Sequence, residues 1–112
     1  MALAPIEDIL EDLQAGRVVV LVDDERRENE GDFVVAAESI SVDLINFLTR
    51  VGGGYLCVAM AGEDCDRLDL LPQAAINTSV RGTPFTVSVD GHPRHGVGTG
   101  ISAADRVATI KL

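Results

Sequence analysis

The sequence has no tryptophan, one tyrosine and three phenylalanines, so aromatics make up 4% of the residues while hydrophobic residues reach 46%. A core built from such a chain must be assembled from Val, Ile, Leu and Ala, which suits an α/β protein. Cysteine is scarce as well. Cys57 and Cys65 are the only two, with no C-x-x-C spacing and no leader-like start, which excludes a disulfide scaffold and predicts a reducing, cytoplasmic setting. No apolar run approaches the roughly 18 residues a membrane-spanning helix needs, so no membrane partner is expected. Positive charge is in short supply, with 9 Lys and Arg against 18 Asp and Glu, a net charge of −9 and a pI near 4.4. That balance argues against nucleic acid or an anionic lipid surface, both of which are bound by summed positive charge. A small phosphorylated molecule stays admissible wherever arginines or a cation are local. No repeat, low-complexity tract or linker divides the 112 residues, so residues 1–112 are expected to form one domain. Such a domain is small for an enzyme that encloses its substrate, and help from a second chain is expected.

What is present in excess is acid, and it is concentrated. Asp23 to Asp32, DDERRENEGD, holds six carboxylates and two arginines between the apolar runs Val18–Val22 and Phe33–Ala37. A charged stretch in that position leaves one strand and enters another at the edge of a core. Clustered carboxylates attract hard cations, and Arg26 and Arg27 offer forked donors suited to phosphate or to the same carboxylates. A solvated, self-neutralising loop satisfies the same composition.

The remaining chain reads as alternating helices and strands. Ile6, Ile9, Leu10 and Leu13 recur at helical spacing, with Gly16 as the stop. Val18–Val22 has no alternation and predicts a strand covered on both faces, followed after the loop by a short strand over Phe33–Ala37. Ser41 can cap a helix that buries Val42, Leu44, Ile45, Leu48 and Val51 and that ends at Gly52-Gly53-Gly54. Further expectations are a strand over Tyr55–Met60, a short acidic helix over Gly62–Leu70 closed by Pro72, and a brief strand or link over Ala74–Asn77. Thr78–Pro84 then reads as a loop, Phe85–Val89 as a strand and Asp90–Gly100 as a loop. Ser102 and Asp105 have the spacing of a capping box for a final helix carrying Val107 and Ile110.

Several smaller constellations could carry chemistry. Gly96-Val97-Gly98-Thr99-Gly100-Ile101-Ser102 brings amides and hydroxyls to a helix start, where a phosphate could be held, although plain turn chemistry uses the same residues. His92 and His95 flank Pro93 without a zinc spacing and read as exposed loop histidines. Cys57 reads as a packed thiol, and Cys65 lies on an acidic helix that disfavours its thiolate. Thr83 and Thr86 flank the start of a strand and could reach a ligand or simply serve a sheet.

The order Asp23-Asp24-Glu25-Arg26-Arg27-Glu28-Asn29-Glu30-Gly31-Asp32 closely resembles the D-D-E-x-R-E-N-E-G-D signature of the 3,4-dihydroxy-2-butanone 4-phosphate synthases. Gly54–Val58, Gly82–Asp90 and Thr99–Arg106 resemble three further segments of that family in the same order. The resemblance covers essentially the whole chain and about the first half of the family's domain. It implies a layered α/β/α domain with a mixed sheet, and a magnesium-dependent lyase of riboflavin biosynthesis, with manganese as the alternative cation. The implied reaction converts ribulose 5-phosphate to 3,4-dihydroxy-2-butanone 4-phosphate and formate by enolisation, dehydration, rearrangement and loss of one carbon. It further implies Glu28 as a metal ligand, and Arg27, Glu28 and Asp32 in contact with substrate, Arg27 at its phosphate. Glu30 would be an acid or base, Asp23 a supporting carboxylate at the catalytic site, and Cys57 and Thr86 would line the pocket. A homodimer is implied, since the family builds its site between two subunits. The family's later segment R-x-G-H-T-E, which supplies a second metal ligand, does not occur in this sequence, and the resemblance gives His92 and His95 no part of its role. A truncated or non-catalytic relative that only binds the sugar phosphate, or serves assembly, is the alternative reading.

Overall fold

The computed structural model describes residues 2–112, and these fall into two compact units. One unit comprises the chain up to Leu56 together with Gly91–Leu112, and the other is Cys57–Asp90.

In the first unit the amphipathic opening forms α1, Ile6–Gln14. The helix ends where expected. Gly16 takes φ +76°, its amide donates to Leu13 O at 3.0 Å, and the Arg17 amide reaches back to Asp12 O at 2.9 Å. That pair of bonds satisfies carbonyls the helix would otherwise leave open, and it needs the left-handed residue that glycine supplies without strain. The chain then enters β1, Val19–Val22, which pairs antiparallel with β2, Gly31–Val34, in the register Val19 to Val34, Val20 to Phe33, Leu21 to Asp32 and Val22 to Gly31. Ser41 caps α2, Val42–Phe47, its hydroxyl accepting from the Leu44 amide at 3.2 Å. The helix continues as one wider π turn over Leu48–Gly52. After a short turn at Pro93–His95, Ser102 caps α4, Ala103–Ile110, by accepting from the Asp105 amide at 3.1 Å, and α4 packs on α2. The buried apolar side chains are Val19, Ile40, Ile45 and Val97, all in this unit, with Ile45 only 1% exposed.

Several sequence expectations are corrected here. The run from Val18 forms a strand, but it is not covered on both faces, since Val19 alone is buried and Val20, Leu21 and Val22 are exposed. The second strand lies over Gly31–Val34 instead of Phe33–Ala37, because pairing is set by the register with β1, and Ala37–Ser39 turns into a short 3-10 helix. On the helix expected after Ser41, Val42 and Val51 are exposed and Ile45 carries the burial.

In the second unit the acidic segment forms α3, Gly62–Arg67. The strands expected over Tyr55–Met60 and Phe85–Val89 do not form. Pro72 and Thr86 make a single antiparallel bridge, flanked by Gln73 N to Phe85 O at 2.9 Å and Val87 N to Leu71 O at 2.8 Å. The amides that would extend this ladder are turned to their own segments, Leu71 N to Asp69 O at 3.1 Å and Phe85 N to Thr83 O at 3.0 Å. The protein is thus an α/β chain whose one sheet, among the described residues, is the antiparallel pair β1–β2.

Candidate functional site

The acidic loop joins the two paired strands, and it is a built structure. The Asp23 amide extends the ladder by donating to Glu30 O at 3.3 Å. Asp24 starts the turn, its carboxylate accepting from the Arg26 amide at 2.8 Å and its carbonyl from the Arg27 amide at 2.9 Å. Asn29 takes φ +50°, a left-handed conformation that asparagine tolerates better than most residues.

Asp23 ties this turn together. Its Oδ1 accepts from the Glu30 amide at 2.9 Å, and its Oδ2 accepts from the Glu28 amide at 2.9 Å and from Arg27 Nη1 at 3.1 Å. The amides of Glu30 and Glu28, assisted by the Arg27 charge against some desolvation, hold the Asp23 carboxyl below the usual carboxylate range. Arg27 also lies 3.5 Å from Glu28 Oε1, and its side chain is 60% exposed against 25% for Asp23 and 26% for Glu28. The carboxylates are therefore drawn in while the guanidinium keeps most of its surface for another partner.

Leu21, Val22, Asp23, Arg27, Glu28, Glu30 and Asp32 line a pocket of about 150 Å³. This is smaller than the roughly 300–1,000 Å³ of an ordinary small-molecule site, so it holds part of a ligand and needs a further wall to enclose one. Of the seven site residues that the resemblance implies, five share the pocket, namely Asp23, Arg27, Glu28, Glu30 and Asp32. Cys57 and Thr86 belong to the other unit, where Cys57 is exposed and Thr86 is half-buried with its hydroxyl donating to Val87 O at 3.0 Å. Among the described residues no group of three or more His, Cys, Asp or Glu side chains is set to hold a metal. Leu21 and Val22 were missed as lining residues, because an uninterrupted valine-rich run reads as core. Their position directly before Asp23 was the available signal.

The glycine-rich turn resolves differently. Asp105 Oδ2 accepts from the Gly100 amide at 3.0 Å, and the amides of Gly98 and Gly100 with the Ser102 hydroxyl hold its carboxyl below the usual range. Two of the amides that could cradle a phosphate, those of Gly98 and Gly100, are thus engaged by a carboxylate of the chain itself. His92 and His95 likewise serve their own turn, His92 Nδ1 accepting from the Arg94 amide at 3.2 Å and His95 Nε2 from Arg94 Nε at 3.1 Å.

An α/β frame holding forked cationic donors beside clustered carboxylates suits a small anionic, oxygen-rich ligand, with or without a hard cation. The family model for 3,4-dihydroxy-2-butanone 4-phosphate synthase matches residues 7–112, and the chain belongs to that family. Among curated relatives, the riboflavin biosynthesis protein RibBA of Mycobacteroides abscessus is 56% identical over 107 residues, covering 96% of this chain and 25% of the relative. RibBA of Aquifex aeolicus is 50% identical over the same share of this chain and 26% of its own length. This chain thus spans about a quarter of these relatives. Among solved structures, a 3,4-dihydroxy-2-butanone 4-phosphate synthase in complex with two magnesium ions superposes with a TM-score of 0.90 at 38% identity, covering 97% of this chain and 50% of that one. The synthase of Candida albicans gives 0.81 at 39% identity, over 99% of this chain and 53% of that one.

Proposed function

We propose that the loop over Asp23–Asp32 is the substrate and cation loop of a lyase that converts D-ribulose 5-phosphate to 3,4-dihydroxy-2-butanone 4-phosphate and formate in riboflavin biosynthesis. The observation that carries this reading is the convergence of Asp23, Arg27, Glu28, Glu30 and Asp32 on one pocket within the family-matched residues. Arg27, largely exposed beside the held-in carboxylates, takes the phosphate through its forked donors. Glu28 and Asp32 accept hydrogen bonds from the sugar hydroxyls. Glu30 lines the pocket, and it takes the proton from the carbon beside the carbonyl and returns it at the later steps. Asp23 is engaged by two amides and Arg27 and supports the loop in its ionised form. Cys57 and Thr86 are assigned to substrate on the resemblance of their segments.

The donor set fits a magnesium ion as a partial site. Glu28 offers a hard carboxylate oxygen on the pocket, and magnesium is commonly held by one or two carboxylates with water and substrate oxygens completing its shell, which suits a site with no three-carboxylate cluster among the described residues. Glu28 would hold the ion, and manganese takes the same donors. When bound, the cation draws charge from the carbonyl and hydroxyl oxygens of the substrate, which eases loss of the neighbouring proton.

The working form in this reading is a homodimer in the cytoplasm, with residues 1–112 acting as one domain within a layered α/β/α arrangement and a mixed sheet. The exposed Val20, Leu21 and Val22 support the association, since apolar strand faces call for cover, and the unpaired Cys57 and Cys65 support a reducing compartment. A second reading, a module that binds ribulose 5-phosphate without turning it over, is favoured by the pocket's small volume of about 150 Å³, which encloses only part of a ligand. Incubation of the chain with ribulose 5-phosphate and Mg²⁺, with formate as the readout, separates them. The lyase reading expects formate from the wild type and none from Glu28→Gln. Saturable binding without formate establishes the second reading, and formate that survives Glu28→Gln contradicts the assignment of Glu28.

A further inference from the structure

We propose that Gly52 is a positioning residue for the acidic pocket, acting through Phe33, an inference that rests on the reading of that pocket as the substrate site. Along β2 successive side chains alternate between faces. Asp32, paired with Leu21, and Phe33, paired with Val20, therefore lie on opposite faces, and of the two only Asp32 lines the pocket. The Phe33 ring packs on Phe47 at the end of α2, with centroids 5.3 Å apart and planes tilted by 51°. The chain then makes the π turn Leu48–Gly52, a rare form that recurs at functional sites, and Gly52 is its last residue. A Cβ at position 52 would stand 2.9 Å from Phe33 Cδ2 and 3.4 Å from Cε2. A contact that short cannot persist, so the Phe33 ring, with Phe47 against it on one side, must shift away from position 52 and draw on the strand that bears it.

That backbone is the pocket's own. Phe33 directly follows Asp32, and Glu30, whose amide is held by Asp23, stands just before the strand. The missing side chain at Gly52 is therefore what lets Phe33 seat, and the seated ring fixes from behind the strand that presents Asp32 and Glu30. Gly52 is not among the glycines with positive φ, so the need for glycine at 52 comes from the contact with Phe33 and not from turn geometry, whereas a Cβ at Gly62 would meet nothing within 4 Å.

The test compares the amide NMR spectra of the full chain, wild type against Gly52→Ala, with ribulose 5-phosphate affinity by calorimetry as a second arm. The expected result is displaced resonances for the Glu28, Glu30 and Asp32 amides, with exchange at Glu28 and Glu30 about tenfold faster, while the Gly100 amide held by Asp105 stays in place. Affinity should fall by about tenfold and recover in Gly52→Ala/Phe33→Leu, a recovery that a general loss of stability does not give. Gly62→Ala should change neither readout. A folded Gly52→Ala protein whose Glu28, Glu30 and Asp32 amides are unmoved overturns the proposal. If Gly52→Ala does not fold, Phe47→Leu decides in the same way, since it loosens the same ring. Should the wild type give no saturable heat, the reading of the pocket as a substrate site fails, while the amide arm still decides whether Gly52 positions these residues.

Discussion

Asp23 and Asp105 are chemically the same device in two places. Each carboxylate accepts from backbone amides of a tight turn, and each is held below the usual carboxylate range by those amides first. What differs is what each leaves over. Asp105 takes the Gly98 and Gly100 amides together with the Ser102 hydroxyl, so these donors serve the turn itself. Asp23 takes the Glu28 and Glu30 amides, and in doing so it sets the side chains of Arg27, Glu28 and Glu30 around a pocket. A clip that consumes its own donors builds structure, whereas one that presents the neighbouring side chains builds a site.

Loss of the core beneath the fold should have the largest effect. Ile45, only 1% exposed on the helix that packs against α4, should cost about 2–5 kcal/mol in urea denaturation when changed to Ala. The two clips themselves should then separate. Asp23→Ala should weaken ribulose 5-phosphate binding by roughly tenfold or more, because a displaced loop loses ligand geometry before it loses fold, and the urea midpoint should move little. Asp105→Ala should do the reverse, lowering the midpoint and loosening the start of α4 with affinity retained. Equal effects of both variants on affinity would dissolve the distinction. Ser102→Ala is a smaller change at the same helix start, with an expected loss of about 1 kcal/mol.

The pH dependence gives the finest test. Both carboxyls titrate lower in the folded chain than the ordinary aspartate value of about 3.9, so the unfolded chain binds protons first as pH falls. Their contribution to stability is present above that value and is lost as pH drops through the lower folded values. Denaturant midpoints between pH 6 and pH 3 should fall at the acid end, with a shallower fall in Asp105→Asn than in the wild type.

The residues that make local structure were the legible ones. The spacing of Ile6, Ile9, Leu10 and Leu13, the stop at Gly16, and the caps at Ser41 and Ser102 all depend on neighbours within a turn or two, and each helix formed where its signals stand. The pocket was legible for a similar reason, since Asp23, Arg27, Glu28, Glu30 and Asp32 are close in sequence and one hairpin brings them together. Strands depend on partners. Phe85–Val89 has strand composition, yet its pairing stops at one bridge, because the Phe85 and Leu71 amides that would continue it donate within their own segments to Thr83 O and Asp69 O. The cover expected for Val20, Leu21 and Val22 also lies beyond what the run itself can specify. Asp105 was legible as a capping residue, but its hold on the Gly98 and Gly100 amides depends on how the turn folds back, which spacing alone does not state.

The central claim is that the Asp23-clipped loop is a site and the Asp105-clipped turn is not. Calorimetric titration of ribulose 5-phosphate in the presence of Mg²⁺ tests it most directly, using wild type, Glu28→Gln and Asp105→Asn. The account predicts saturable heat for the wild type and for Asp105→Asn, and its loss in Glu28→Gln. No saturable heat in the wild type, or equal binding by Glu28→Gln, would contradict it.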